Sequence, residues 1–334
     1  ALDLSSYCPS PKGPRTWEEF MQAKEPVRYT PTSTLRKLTC FIDSADDYEA
    51  LVTFLWSNVG LREVYIDKVS WSDIAYLITR CPELNTVRVN DTYSYDARMD
   101  ENLDYVIERA GNLRYLQLVP RQCGPSPLFT EKQTLTLLRG CLQLVALVLH
   151  DFGTIRWALD EHPVPVPKEA TTPSSSCLQV FHTAAISTAA LLEVFALCPH
   201  LKELGIAEPE AVRPVLDLVV KHNVRRLLLE LPSNFADELL LQLKNMEALY
   251  LTNCTTLTSV QLLQIAKNNP DLTSLVVQGC VSITIDILDD LVSELPELKR
   301  LVLSDGVTPE WENLLEELRE LCPMLKDAKV SLAK

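Results

Sequence analysis

The chain has 334 residues, with 45 acidic and 31 basic side chains and a formal net charge of −14. That acidic excess argues against a nucleic-acid backbone as the main partner and favours a partner with a basic surface. Hydrophobic residues make up 47% of the chain, enough for a packed core, yet no apolar run reaches the roughly 20 residues needed to span a membrane as a helix.

Residues 1–34 are Pro-rich, with one short helix expected at TWEEF, where Thr16 and Glu19 can form a capping box. This stretch reads as an N-terminal cap, or else as a docking tail. From Leu35 a phrase of the form L-x-x-L-x-L begins and keeps returning: LRKLTC at Leu35, LREVYI at Leu61, LNTVRV at Leu84, LRYLQL at Leu113 and LVALVL at Leu144. It continues as LQVFHT at Leu178, LKELGI at Leu201, VRRLLL at Val224, MEALYL at Met246, LTSLVV at Leu272, LKRLVL at Leu298 and LKDAKV at Leu325. The segments from Met246 and from Leu272 are the most alike, sharing an apolar opening, a Cys (Cys254, Cys280) and a closing Pro. Spacings of roughly 23 to 27 residues fall in the range of leucine-rich repeats.

Each unit reads as a short strand followed by a helix. The first, fourth and sixth residues point inward, with outward residues between them. In the unit from Leu298, Thr308 can N-cap a helix with Pro309 in its first turn, burying Leu314, Leu315 and Leu318. A strand and helix of this size cannot bury their own apolar faces, so the units must stack. The expected fold is α/β: a leucine-rich-repeat solenoid or horseshoe, with a concave parallel β-sheet, convex helices and about 10 to 11 repeats. Residues 35–334 form one such array, so a second domain is not required. Two units are expanded. One carries an insertion before a helix whose Thr130 and Gln133 can form a capping box. The other carries a Pro/Ser/Thr-rich excursion at about 152–177, which either extends the concave site or folds back over it.

These motifs resemble the cysteine-containing class of leucine-rich repeats, found in the ribonuclease-inhibitor-like folds of F-box substrate receptors. The resemblance implies a non-catalytic protein-interaction module that recruits substrates to an SCF ubiquitin ligase. The alternative is a structural or assembly subunit of a large multiprotein complex. The chain departs from the receptors in one respect: no F-box signature, neither LP-x-E nor Cys-x-x-Trp, is visible.

Most cysteines have a repeat-defined place. Cys81, Cys198 and Cys322 close helices, Cys254 and Cys280 follow strands, and Cys40 lies in the first strand. They read as reduced, buried thiols, which points to an intracellular protein. Sequons at Asn90 and Asn253 would matter only in a secreted one. No catalytic motif, cofactor-binding fingerprint or metal-ligand spacing occurs, and none of these groups is expected. Two histidines in adjacent repeats, His150 and His182, make a poor metal site without a carboxylate or thiolate.

The outward strand positions give the candidate partner-binding face. Its amino-terminal part is polar and aromatic: Glu63, Tyr65, Asp67, Arg88, Tyr115 and Gln117. Its middle part is small and apolar, and the candidates there are Val148, His150, Val180 and His182. In the excursion, Arg156 and Trp157 are candidate anchors for the same protein partner.

Overall fold

The computed structural model describes residues 36–40, 59–67, 69–92, 99–120, 129–150, 176–231, 237–279, 287–304, 322, 324–325 and 327–331. The chain packs as two compact units, Ala1–Leu178 and Gln179–Lys334.

In the first unit the described elements are β1 (Lys37–Cys40), β2 (Glu63–Asp67), α1 (Trp71–Arg80), β3 (Thr86–Thr92), α2 (Met99–Arg109), β4 (Tyr115–Pro120), α3 (Glu131–Gly140) and β5 (Ala146–Val148). The strands pair in chain order and all in parallel, β1 to β2 through β4 to β5. The second unit holds β6 (Val180–Ile186), α4 (Thr188–Leu197), β7 (Glu203–Pro209), α5 (Val212–Lys221) and β8 (Arg226–Glu230). After a 3₁₀ helix at Asp237–Gln242 come β9 (Ala248–Thr252), α6 (Ser259–Asn268), β10 (Ser274–Val277), α7 (Leu288–Glu294), β11 (Arg300–Ser304) and β12 (Asp327–Ser331). These strands also run parallel in chain order.

The inward row is built as the repeat predicts. Leu61, Val64 and Ile66 are buried in one repeat, and Leu272, Leu275 and Val277 in another. In the second unit Leu249, Leu275 and Leu301 stand side by side in register, as do Leu251, Val277 and Leu303. Removing one such leucine would cost about 2–5 kcal/mol, because the neighbours cannot close the cavity. Trp71 opens α1 fully buried and meets Phe129 edge-on, with ring centroids 5.0 Å apart.

Helix starts follow the sequence signals. Thr130 Oγ1 accepts the Gln133 N–H while Gln133 Oε1 accepts the Thr130 N–H, the expected capping box, and Thr258 and Gln261 repeat it at α6. The element between β8 and β9 is 3₁₀ rather than α. The expected capping box at Thr16 and the expected N-cap at Thr308 lie outside the described residues.

Cys81, Cys141 and Cys198 are buried free thiols where helices end, Cys322 is a buried free thiol, and Cys254 is buried just after β9. No helix among the described residues is long and apolar enough to cross a membrane.

Candidate protein-binding surface

Alternate strand residues point to opposite sides, so the residues between the inward row make the second face of each sheet. In the first unit the register decides which of them meet. Glu63 lies beside Thr86, and Thr86 beside Tyr115; Tyr65 lies beside Arg88, and Arg88 beside Gln117. Lys37 of β1 aligns with Glu63.

Tyr65 is the centre of this cluster. Lys37 Nζ stands 4.6 Å from its ring centroid and Arg88 Cζ 5.0 Å. Each cation is attracted to the negative ring face by about 0.5–1 kcal/mol at an exposed site. Lys37 also pairs with Glu63 at 3.2 Å. The hydrogen bond from Lys37 to Glu63 holds the ammonium above its ordinary pKa, against a small desolvation. Burial pushes the Tyr115 phenol up, and Arg114 and Arg88 oppose it. Gln117 Nε2 donates to Asn90 Oδ1 at 3.5 Å, a long bond. Glu63, Tyr65, Arg88, Tyr115 and Gln117 are all half-buried. Asp67 ends β2 opposite Asn90, but its side chain lies outside the described residues.

The small apolar stretch expected to face a partner is not exposed. Val119, Val148, Val180 and Ala207 are 8, 8, 2 and 4% exposed, and His182 is 5%. His150 is half-buried after β5. His182 has Gly205 directly beside it, so no side chain separates it from the next repeat. The imidazole reaches diagonally to Glu203, with Nε2 2.9 Å from Oε1. Glu203 Oε2 lies 3.5 Å from Arg226 Nη1. A carboxylate 3% exposed needs such company, since burying an unpaired charge costs several kcal/mol. Beyond this pair Tyr250 hydrogen-bonds Ser274, and burial pushes its phenol up. Leu228, Val276 and Val302 on the same face are 1, 1 and 4% exposed. In the second unit the central row of this face is therefore buried and carries a polar network, while Arg226, Glu230 and Thr252 on the flanking rows are half-buried. Arg156 and Trp157 lie outside the described residues.

Among the pairings unforeseen from the sequence are Lys37 with Glu63, and Glu203 with Arg226. The signal for each is opposite charges at the same position of consecutive repeats, which the parallel register brings together. Among the described residues no group of His, Cys, Asp and Glu could hold a metal ion.

No family model matches the sequence, and no curated protein matches it. Solved structures do match. The yeast Rad7–Elc1 complex covers 90% of this chain and 78% of its own, at 14% identity and a TM-score of 0.54. A leucine-rich-repeat protein of Leptospira interrogans covers 83% and 56% at 15% identity, TM-score 0.31. An internalin of Listeria monocytogenes covers 89% and 87% at 12% identity, TM-score 0.32. Together with the repeated strand–helix units, the first match decides the architecture. The chain has the leucine-rich-repeat fold. At these identities the likeness extends to the fold alone; the cysteine-containing subtype remains a reading of the sequence.

Proposed function

We propose that this leucine-rich-repeat chain is a non-catalytic protein-binding module that recruits a protein to a ubiquitin ligase, as the F-box receptors it resembles do. The observation that carries the binding reading is the Lys37–Tyr65–Arg88 stack with Tyr115 beside it. It puts aromatic and guanidinium groups, the types enriched at binding hot spots, on one sheet face where they are only half-buried. A pre-organised face loses little side-chain entropy on binding. The excursion at about 152–177, with Arg156 and Trp157, would add contacts to the same partner. The fold match supports the reading in one respect: its Rad7 chain was solved in complex with another protein, Elc1.

The test is affinity purification of the tagged full chain at endogenous level, with mass spectrometry. Recovery of ligase adaptor and cullin subunits is expected. A stoichiometric assembly without them would overturn recruitment in favour of a structural subunit. Arg88→Glu combined with Tyr115→Ala should abolish capture of the recruited protein; undiminished capture would reject the face.

A further inference from the structure

The residue after each repeat's leading position sits just before the strand, and backbone hydrogen bonds stack these residues in line. In the first unit the Arg36 carbonyl accepts the N–H groups of Arg62 and Glu63 at 2.8 and 3.0 Å. The Arg62 carbonyl does the same for Asn85 and Thr86, and the Asn85 carbonyl for Arg114 and Tyr115. Positions 36, 62, 85 and 114 thus form one row, spaced about 4.8 Å apart and about 14 Å long.

All but Asn85 in that row are arginines, in a chain of net charge −14. Lys37 and Arg88 lie next to them on the strands, and the carboxylates at this edge, among the described residues, are Glu63 and Glu83. The local balance is therefore opposite in sign to the whole protein. Glu83 shows how the row takes a carboxylate. Its Oε2 accepts from Arg36 Nη1 at 2.9 Å and from Arg62 Nε and Nη2 at 3.1 Å each. One carboxylate oxygen spans two repeats and leaves a positive excess. The three side chains are about half exposed, at 53, 53 and 49%. Arg114, further along, makes no ion pair among the described residues. The equivalent row of the second unit carries its own acid, since Arg225 Nη1 meets Glu247 Oε1 at 2.8 Å.

We propose that the arginine row at the amino-terminal edge of β1–β4 binds an extended acidic segment of a protein partner. The inference rests on the reading of this chain as a protein-binding module and specifies the chemistry of what it binds. About 14 Å accommodates four or five extended residues at about 3.3 Å each. Guanidinium forks favour carboxylates through paired hydrogen bonds. A long polyanion such as a nucleic acid meets the same row but is repelled by the acidic remainder of the molecule.

The test uses the full chain and a fluorescein-labelled peptide of four Ser-Glu repeats, read by anisotropy. Saturable binding is expected, weakening at least tenfold in Arg62→Glu/Arg114→Glu and falling steeply with added salt. Arg225→Glu should change affinity less than twofold. If the charge-reversed variant does not fold, by circular dichroism, Arg62→Gln/Arg114→Gln takes its place with the same expectation. Equal binding of a control peptide of four Ser-Gln repeats, unchanged affinity of the row variant, or tighter binding of an oligothymidylate of equal charge would overturn the proposal. Peptide binding that persists while no ligase subunit is recovered removes the recruitment reading and leaves the acidic-segment site standing.

Discussion

Asn269 Oδ1 accepts the backbone N–H of Met246 at 2.8 Å, joining the end of α6 to the first residue of its own repeat. Its Nδ2 donates to the carbonyls of Leu243 and Ile265, at 3.1 and 2.8 Å. A thiol at the equivalent place bonds the first residue of its repeat in the opposite sense: Cys322 Sγ donates to the Leu298 carbonyl at 3.4 Å. Cys81 hydrogen-bonds the Leu61 backbone. The residue before the closing Pro is thus a clasp, and its identity follows from what it must reach.

Asn269 is fully buried, so Asn269→Ala leaves the Met246 N–H and two carbonyls without partners. The expected loss is about 2–3 kcal/mol. Asn269→Cys should lose less, because a thiol can bond a carbonyl as Cys322 does. Urea denaturation measures both; an alanine variant within about 0.5 kcal/mol of wild type would show that the clasp is dispensable.

The buried His182–Glu203 pair predicts a coupled effect. Glu203→Ala strips the imidazole of its acceptor and Arg226 of a partner, and should cost about 3 kcal/mol. Adding His182→Ala to it should cost less than the sum of the single losses, because the partners share one interaction. Strict additivity in a double-mutant cycle would show that the two side chains do not interact.

Gly279 has a φ of 73°, and a Cβ there would stand 3.0 Å from the Cα of Asn253. Asn253, at the same place in the preceding repeat, also has positive φ, 59°. Gly279→Ala therefore meets both backbone strain and a crowded neighbour, and about 1–2 kcal/mol of stability should be lost. A thermal midpoint equal to wild type would mean that this turn relaxes freely.

Burial raises the Cys81 thiol from 9.0 to about 11 and the Cys141 thiol from 9.0 to about 12. Both are protonated in the folded protein at pH 8, so they should resist iodoacetamide until urea unfolds the chain. The sign of the linkage follows. The unfolded thiols ionise above about pH 9 while the folded ones hold their protons, so stability is full below that pH. It should decline as pH rises from 9 towards 11 to 12. Between pH 9 and 10, before the raised phenols of Tyr76 and Tyr250 add a fall of the same sign, Cys81→Ala/Cys141→Ala should lose less stability than wild type; the same fall in both would assign it elsewhere.

Much of the fold was legible because the repeat carries its own register. Once Leu249 and Leu275 occupy equivalent places, parallel pairing must set them side by side, and it does. The capping box at Thr130 and the buried cysteines at helix ends were equally local signals. The candidate face was half legible. Glu63, Tyr65, Arg88, Tyr115 and Gln117 lie where period-two alternation puts them. Their neighbours Arg36, Arg62 and Arg114 were overlooked, because their row lies outside the strand and only the stacked carbonyl bonds reveal it.

By itself the sequence determined the repeat, the inward leucine row and the side of each strand on which a residue stands, since these depend only on periodicity and volume. Exposure was decided by tertiary structure. Val180 and His182 occupy outward positions as surely as Tyr65 does, yet they are 2 and 5% exposed while Tyr65 is half-buried. The neighbours differ too: His182 has Gly205 beside it and Glu203 in hydrogen-bond reach, whereas Lys37 and Arg88 flank Tyr65 from its two sides. Alternation along one strand fixes direction, but whether that direction leads to solvent depends on what the folded chain packs against it, which no local period encodes.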